Sequence, residues 1–226
     1  MSTSASLIYR APYYALFYKP PTWSVLPDKT DDTRFTAAIE LELGPTAQPV
    51  HRIDKPVSGI VLVAKGTRAT AFYQNQLAAE DTHKVYYAIT EAAPTQHHGV
   101  LEHYLTHDRR KRKALVSDTP VKQSKHARLT YEHVAASDRY HLIKVELATG
   151  RFHQIRAQLA AIGCPIKGDV KYGARRSNRD RSIHLHAYAL TFTDEDGEKQ
   201  THTAPLPDDT LWQYFQPQIM TTDLDG

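Results

Sequence analysis

The chain has 226 residues but only one cysteine, Cys164. A lone thiol excludes an intramolecular disulfide framework and a multi-cysteine zinc ribbon. Long apolar runs are also missing. The longest clean one, residues 59–64, is far short of the ~20 residues that cross a bilayer. The opening MSTSASLIYR has no basic start followed by an apolar stretch, so no secretory leader is visible. Glycine is sparse, and segment 163–168 (GCPIKG) lacks the pattern of a phosphate-cradling loop. No HExxH occurs, although the chain holds 13 histidines. There is no internal repeat and no low-complexity tract. These absences point to a cytoplasmic globular protein without a membrane segment. The 41% hydrophobic and 23% charged content agrees with a packed core and argues against long disorder. The length suits one large domain or two small ones.

What is present begins with charge. The formal net charge is only +3, yet residues 191–226 hold eight acids and one lysine, a sum of −7, which leaves +10 on residues 1–190. Segment 107–113 (HDRRKRK) has five bases against one acid, and segment 167–181 (KGDVKYGARRSNRDR) has six against two. Basic blocks in a nearly neutral chain suit a polyanion partner, and equally suit two solvated loops.

Periodicity predicts strands over 14–18, 59–64, 84–90, 128–134, 140–147 and 182–192. It predicts helices over 35–43, over 68–80 with Thr67 as cap, and over 151–162 with Phe152, Ile155, Leu159 and Ile162 as the apolar stripe. Segment 91–126 reads as a loop. Strands outnumber helices and several are sequence neighbours, which predicts an α+β fold with a mainly antiparallel mixed sheet.

Two segments concentrate polar chemistry. His51-Arg52-Ile53-Asp54-Lys55-Pro56-Val57-Ser58-Gly59 sets one carboxylate among bases on a loop before a buried strand. A loop residue held by a rigid scaffold is a common catalytic position. By spacing alone, a turn that Asp54 caps or salt-bridges is the better explanation. In 149–156 (TGRFHQIR) a strand ends, glycine turns the chain and a helix begins. Arg156 lies beside the apolar stripe, so its stem can be buried, and a buried guanidinium calls for a carboxylate in bidentate geometry.

These segments resemble known motifs. HRIDKPVSG is similar to the HRLDxxTSG signature of the RluA family of pseudouridine synthases, KVYYA (84–88) to its K-x-Y-x-A, GRFHQIR (150–156) to its G-R-x-H-Q-[IL]-R, and LHA (185–187) to its L-H-A. Tyr18-Lys19-Pro20 resembles the opening [NY]-K-P, and APLP (204–207) the closing A-P-x-P. The motifs keep the family's order over about 14–207. Val57 departs from the pattern, standing where the family has threonine, as does Ile53 for leucine. Pro21-Thr22-Trp23 replaces the glycine that usually follows Lys19-Pro20.

The resemblance implies the pseudouridine synthase fold, with a catalytic cleft in the middle of the sheet. It implies isomerisation of a uridine in structured RNA, a tRNA or an rRNA stem-loop, by base flipping and without cofactor or metal. By the motif match Asp54 is the catalytic aspartate, either attacking C1′ or removing the 2′ proton. Arg156 would be its cationic partner, and Tyr86 the active-site tyrosine that stacks on the uracil. Arg52 would enter the space of the flipped nucleotide. His51, Lys84, Arg151 and His153 would contact substrate, with Ile183 and Leu185 as apolar walls. Arg109, Arg110, Lys111, Arg112, Lys171, Arg175 and Arg176 read as positioning contacts for the RNA backbone.

The first motif begins near Tyr18, which implies one catalytic domain over 1–226 without an S4-type RNA-binding domain. Nothing in the sequence sets the oligomeric state, and a monomer is the default expectation. The acidic part that begins after the L-H-A strand, and that ends in the acidic C-terminal segment 208–226, is expected to turn away from RNA. Three other readings are weaker. A metallohydrolase built on His184 and His186 lacks converging carboxylates or cysteines. A silent RNA-binding relative would have lost the aspartate, tyrosine or arginine. A general nucleic-acid binder lacks recognised RNA modules.

Overall fold

The computed structural model describes residues 4–27 and 32–222, so Asp223 and Asp225 of the acidic segment lie outside the described residues. Up to Lys84 the chain forms strands β1 (Ser6–Arg10) and β2 (Tyr14–Lys19), helix α1 (Arg34–Leu43), strands β3 (Ala47–Pro49) and β4 (Ser58–Lys65), and helix α2 (Thr67–Gln76). Strands β5 (His83–Thr90), β6 (His98–Asp108), β7 (Lys113–Ser117), β8 (Lys125–Ala136) and β9 (His141–Leu147) follow, then helix α3 (Gln154–Ala161) and a 3₁₀ turn at Val170–Tyr172. Strands β10 (Leu185–Thr193) and β11 (Lys199–Thr203) and helix α4 (Thr210–Thr222) come last. The fold is α+β with a mixed, mostly antiparallel sheet, in line with the clustering of strands along the sequence. The chain divides into two compact units, residues 1–84 with 186–213, and 85–185 with 214–226.

In the first unit the strands run in the order β1-β2-β4-β10, with β11 on β10 and β3 on β4. Strand β4 is the centre. Its first seven residues are buried, which its unbroken Ile-Val-Leu-Val-Ala content requires. Strand β2 pairs along one edge of β4 in antiparallel register. The other edge is shared: β10 pairs in parallel with Ser58 and Gly59, and β3 pairs antiparallel with 63–65. Gly59 has φ +128°, and a Cβ there would stand 2.2 Å from the Ala187 carbonyl oxygen. Only glycine allows the two backbones to approach so closely. The S-G and L-H-A motifs are therefore the two sides of one strand crossing. Helix α2 is preceded by Gly66 at φ +86°, without a side-chain cap, so Thr67 already belongs to the first turn. The helix ends at Gln76 rather than near 80.

In the second unit the order is β5-β9-β8-β6-β7, antiparallel throughout. The segment 91–126, predicted as loop, is largely the β6–β7 hairpin with the start of β8. Only Leu101 and Leu105 of β6 are buried, so the strand shows too little alternation to be read from sequence. Leu105, Ala114, Ala127, Ala157 and Tyr172 form a small core, with Phe152 packed against it.

Helix α3 begins three residues later than predicted. His153 sits at φ +53° in the left-handed region, and the Gln154 side chain accepts from the Arg151 amide at 2.9 Å and the Thr149 hydroxyl at 2.8 Å. That network closes a turn over 149–153, so Phe152 lies ahead of the helix and not on its stripe. Strand β10 likewise starts at Leu185 rather than 182, because the Leu185 amide donates to the Ile183 carbonyl at 2.8 Å and interrupts extended pairing.

Gly59→Ala would set a methyl group against backbone that cannot retreat. We expect a loss of at least about 3 kcal/mol of stability, read by urea denaturation at neutral pH. An alanine variant as stable as the parent would contradict the close-crossing account.

Candidate active site

The Asp54 loop belongs to the first unit. Its turn is closed by the Val57 amide, which donates to the Asp54 carbonyl at 3.0 Å. Ile53 and Val57 are buried on either side, while Asp54 is half-buried and Arg52 exposed. Beneath the loop lies Lys19, fully buried. Its Nζ donates to the carbonyls of Pro20 (2.9 Å), Trp23 (2.9 Å) and Lys55 (3.3 Å). Three acceptors call for three N–H donors, which only the ammonium has. Burial pulls this group down to about 7, and Asp54 is the largest charge holding it up, with Asp32 next.

The Thr22 amide also donates to the Lys55 carbonyl, at 2.7 Å. Asp32 braces the same loop from the α1 side. It accepts from Arg34 Nε (2.8 Å) and Nη2 (3.0 Å) and from the Ser24 amide (3.1 Å), and pairs with Lys55 Nζ at 3.4 Å. The hydrogen bonds from Arg34 hold the Asp32 carboxyl far below the usual carboxylate range. Arg34 lies 4.8 Å over the Trp23 ring, which closes the stiff Pro21-Thr22-Trp23 segment. Neither Lys19 nor Asp32 stands among the site residues predicted from sequence. The [NY]-K-P resemblance signals the first, and nothing local signals the second.

Two predicted substrate contacts carry structural bonds. His51 Nε2 accepts from the Leu62 amide at 3.0 Å, and burial, with Lys84 adding to it, pushes its pKa down to about 3. Lys84 Nζ donates to the Leu77 carbonyl at 2.6 Å. Ser58 Oγ lies 2.8 Å from His186 Nδ1, and burial lowers that imidazole to about 3. His186 thus serves as a neutral core residue. His184 Nδ1 lies 3.1 Å from Asn178 Nδ2. Among the described residues no three His, Cys, Asp or Glu side chains converge as a metal site would need.

The second unit holds Tyr86, Arg156 and the basic blocks. Tyr86 is half-buried in β5, opposite Val145 of β9. Arg156 is buried and has the bidentate carboxylate that its sequence position predicts. That carboxylate is Asp169, at 2.6 Å from Nε and 2.9 Å from Nη2. Thirteen residues separate the pair, a distance no periodicity reveals. The Arg156 guanidinium also lies 5.1 Å over the Tyr172 ring.

Tyr172 joins the two basic blocks. Its hydroxyl accepts from the Ala114 amide at 2.7 Å, Lys113 Nζ lies 4.8 Å over its ring, and Lys171 Nζ donates to the Arg112 carbonyl at 3.1 Å. Arg109, Arg110, Lys111 and Arg112 form the β6–β7 tip, and the Arg175 amide is held by Glu91 at 3.0 Å. Arg151 Nε donates to the His126 carbonyl at 2.8 Å, and His153 Nδ1 lies 2.9 Å from the Tyr172 hydroxyl. Ile183 and Leu185 are both buried.

Comparison with known proteins gives a concordant picture. A family model described as RNA pseudouridylate synthase matches residues 13–161. An uncharacterized RNA pseudouridine synthase of Bacillus subtilis is 35% identical over 162 residues, covering 71% of this chain and 52% of that protein. The tRNA pseudouridine synthase C of Salmonella typhimurium is 28% identical over 83% of this chain and 79% of its own. The chain spans about half the length of the first curated relatives it matches. Among solved structures, human RNA pseudouridylate synthase domain containing 4 superposes with a TM-score of 0.74 at 19% identity, covering 95% of this chain and 92% of that one. That likeness concerns the fold.

Asp169→Ala would leave the Arg156 guanidinium without its bidentate carboxylate. We expect about 3–5 kcal/mol of destabilisation by chemical denaturation, and less for Asp169→Asn, which keeps an acceptor. Equal stability of parent and alanine variant would refute the pair's importance.

Proposed function

Since the chain belongs to the RluA family of RNA pseudouridine synthases, we propose that it isomerises a specific uridine to pseudouridine in a tRNA or an rRNA stem-loop. The observation that carries this reading is the Asp54 turn, which one buried ammonium fastens to the Lys19-Pro20 segment. A carboxylate that must act at a single sugar carbon needs a backbone that does not drift, and this loop has that rigidity.

In the reaction the N1–C1′ bond breaks, the base rotates, and C5 bonds to C1′. C5 then loses its proton and N1 gains one. Asp54 either attacks C1′, forming a transient ester, or removes the 2′ proton. Both routes use an ionised carboxylate. Arg156 supplies positive charge for it, and the Asp169 pair sets the orientation of that guanidinium. Tyr86 stacks on the uracil and assists the late loss of the C5 proton. Arg52 fills the gap left by the flipped nucleotide, offsetting an extrusion cost of a few kcal/mol. Ile183 and Leu185 wall the base. His51 acts chiefly by holding the backbone near Asp54, which its bond to Leu62 supports, and Lys84 by tying β5 to the end of helix α2 at Leu77. No cofactor or metal takes part in these steps.

The joined basic blocks support RNA as the partner. Arg109 to Arg112 at the hairpin tip, with Lys171, Arg175 and Arg176, would bind phosphates without reading sequence. Reversing Arg110 or Arg175 to Glu should raise KM more than it lowers kcat and flatten the salt dependence of binding. An unchanged salt slope after several reversals removes this role. For the chemistry, Asp54→Asn in the purified protein should abolish tritium release from [5-³H]uridine-labelled RNA while largely sparing RNA affinity. Retained turnover would overturn the assignment of Asp54.

A further inference from the structure

The second unit carries a column of rings, among them the predicted substrate contact His153, to which the steps above give no part. Phe152 packs against the small core, and two imidazoles lie close against its ring, one stacked and one tilted. His153 lies 3.8 Å away between ring centres at an 18° tilt, and His107 lies 3.9 Å away at 32°. His153 meets Tyr172 edge-on, at 5.6 Å between ring centres, and its Nδ1 lies 2.9 Å from the Tyr172 hydroxyl. That contact anchors this end of the column. At the outer end His107 is exposed, and no side-chain hydrogen bond holds its ring among the described residues.

The surroundings of that open ring are cationic. His107 pairs with Ala114 across the β6–β7 hairpin, and only Asp108, whose Oδ1 accepts from the Lys111 amide at 2.9 Å, separates it from the tip that bears Arg109, Arg110, Lys111 and Arg112. Lys113 and Lys171 flank the same hairpin end through Tyr172 and the Arg112 carbonyl. A flat ring presented from a rigid stack within a belt of cations is the arrangement that holds an unpaired nucleobase: the cations take the phosphates, and the ring takes the π face. Arg156 lies over the same Tyr172 that anchors His153, so the column stands beside a residue the motif match assigns to the reaction.

We infer that His107, backed by Phe152 and His153, is a stacking platform for an unpaired base of the RNA substrate, separate from the subsite of the target uridine. The inference rests on the RNA-modifying reading above, deepening it to a requirement for single-stranded nucleotides near the target. Because Phe152 and His153 are built into the core and the α3 start, His107 is the member that can be changed without disturbing the unit.

The test uses the full chain with two probes, a fluorescein-labelled single-stranded oligouridylate and an A-form RNA duplex, each titrated by fluorescence anisotropy. His107→Ala should weaken oligouridylate binding about tenfold and leave duplex binding unchanged. His107→Phe should restore it. A 2-aminopurine placed in the single strand should be quenched by the parent and by His107→Phe, but not by His107→Ala. Equal loss for both probes, or no loss for either, would overturn the platform, since the ring would then serve only to seat the hairpin. Parent protein that binds neither probe would instead count against the RNA reading, so the two failures are distinguishable.

Discussion

Burying an ammonium costs several kcal/mol unless its protons find acceptors, and Lys19 directs its three at the carbonyls of Pro20, Trp23 and Lys55. This arrangement ties the end of β2 to the turn that carries Asp54. Asp54 and Asp32 both favour the charged lysine, so the carboxylate that the clamp positions helps to keep the clamp closed. The Thr22 amide and the Asp32–Arg34 pair then add hydrogen bonds to the same few residues. Just beyond the turn, Gly59 lets β4 meet β10 at backbone contact, which sets where the loop leaves the sheet.

The second unit solves a similar problem with an ion pair. Arg156 and Asp169 are both almost fully buried, at 5% and 2% side-chain exposure, so neither charge is screened by water. Their value lies in orientation as much as in stability, because a guanidinium held by two bonds has one direction left to offer. Tyr172 then connects this pair to the β6–β7 hairpin and draws together two basic blocks that are more than fifty residues apart in sequence. The uneven charge of the chain thus acquires a structural form in this unit, as one joined basic surface.

Much of this was legible in the sequence, and the rest was hidden for physical reasons. Strand β4 announced itself through an unbroken apolar run, and the Asp54 turn through Pro56 and Gly59. The need of Arg156 for a bidentate carboxylate followed from its burial. The identity of the partner did not, because Asp169 lies beyond a helix and a turn and no periodicity links the two. Strand β6 buries only two leucines and so looked like loop, and β11 (KQTHT) is polar throughout. Helix α4 contains Pro217, which argues against a helix in sequence. The late start of α3 depends on the Gln154 side chain closing the preceding turn, a tertiary feature that local propensity does not encode.

The account converges on one carboxylate and one class of product. Pseudouridine mapping of cellular RNA, from cells lacking the protein and from cells complemented with the parent or with Asp54→Ala, tests both together. The account predicts a uridine in a tRNA or rRNA loop that loses its modification without the protein, regains it with the parent, and stays unmodified with Asp54→Ala. A map that is the same in all cells, or one restored by Asp54→Ala, would contradict it.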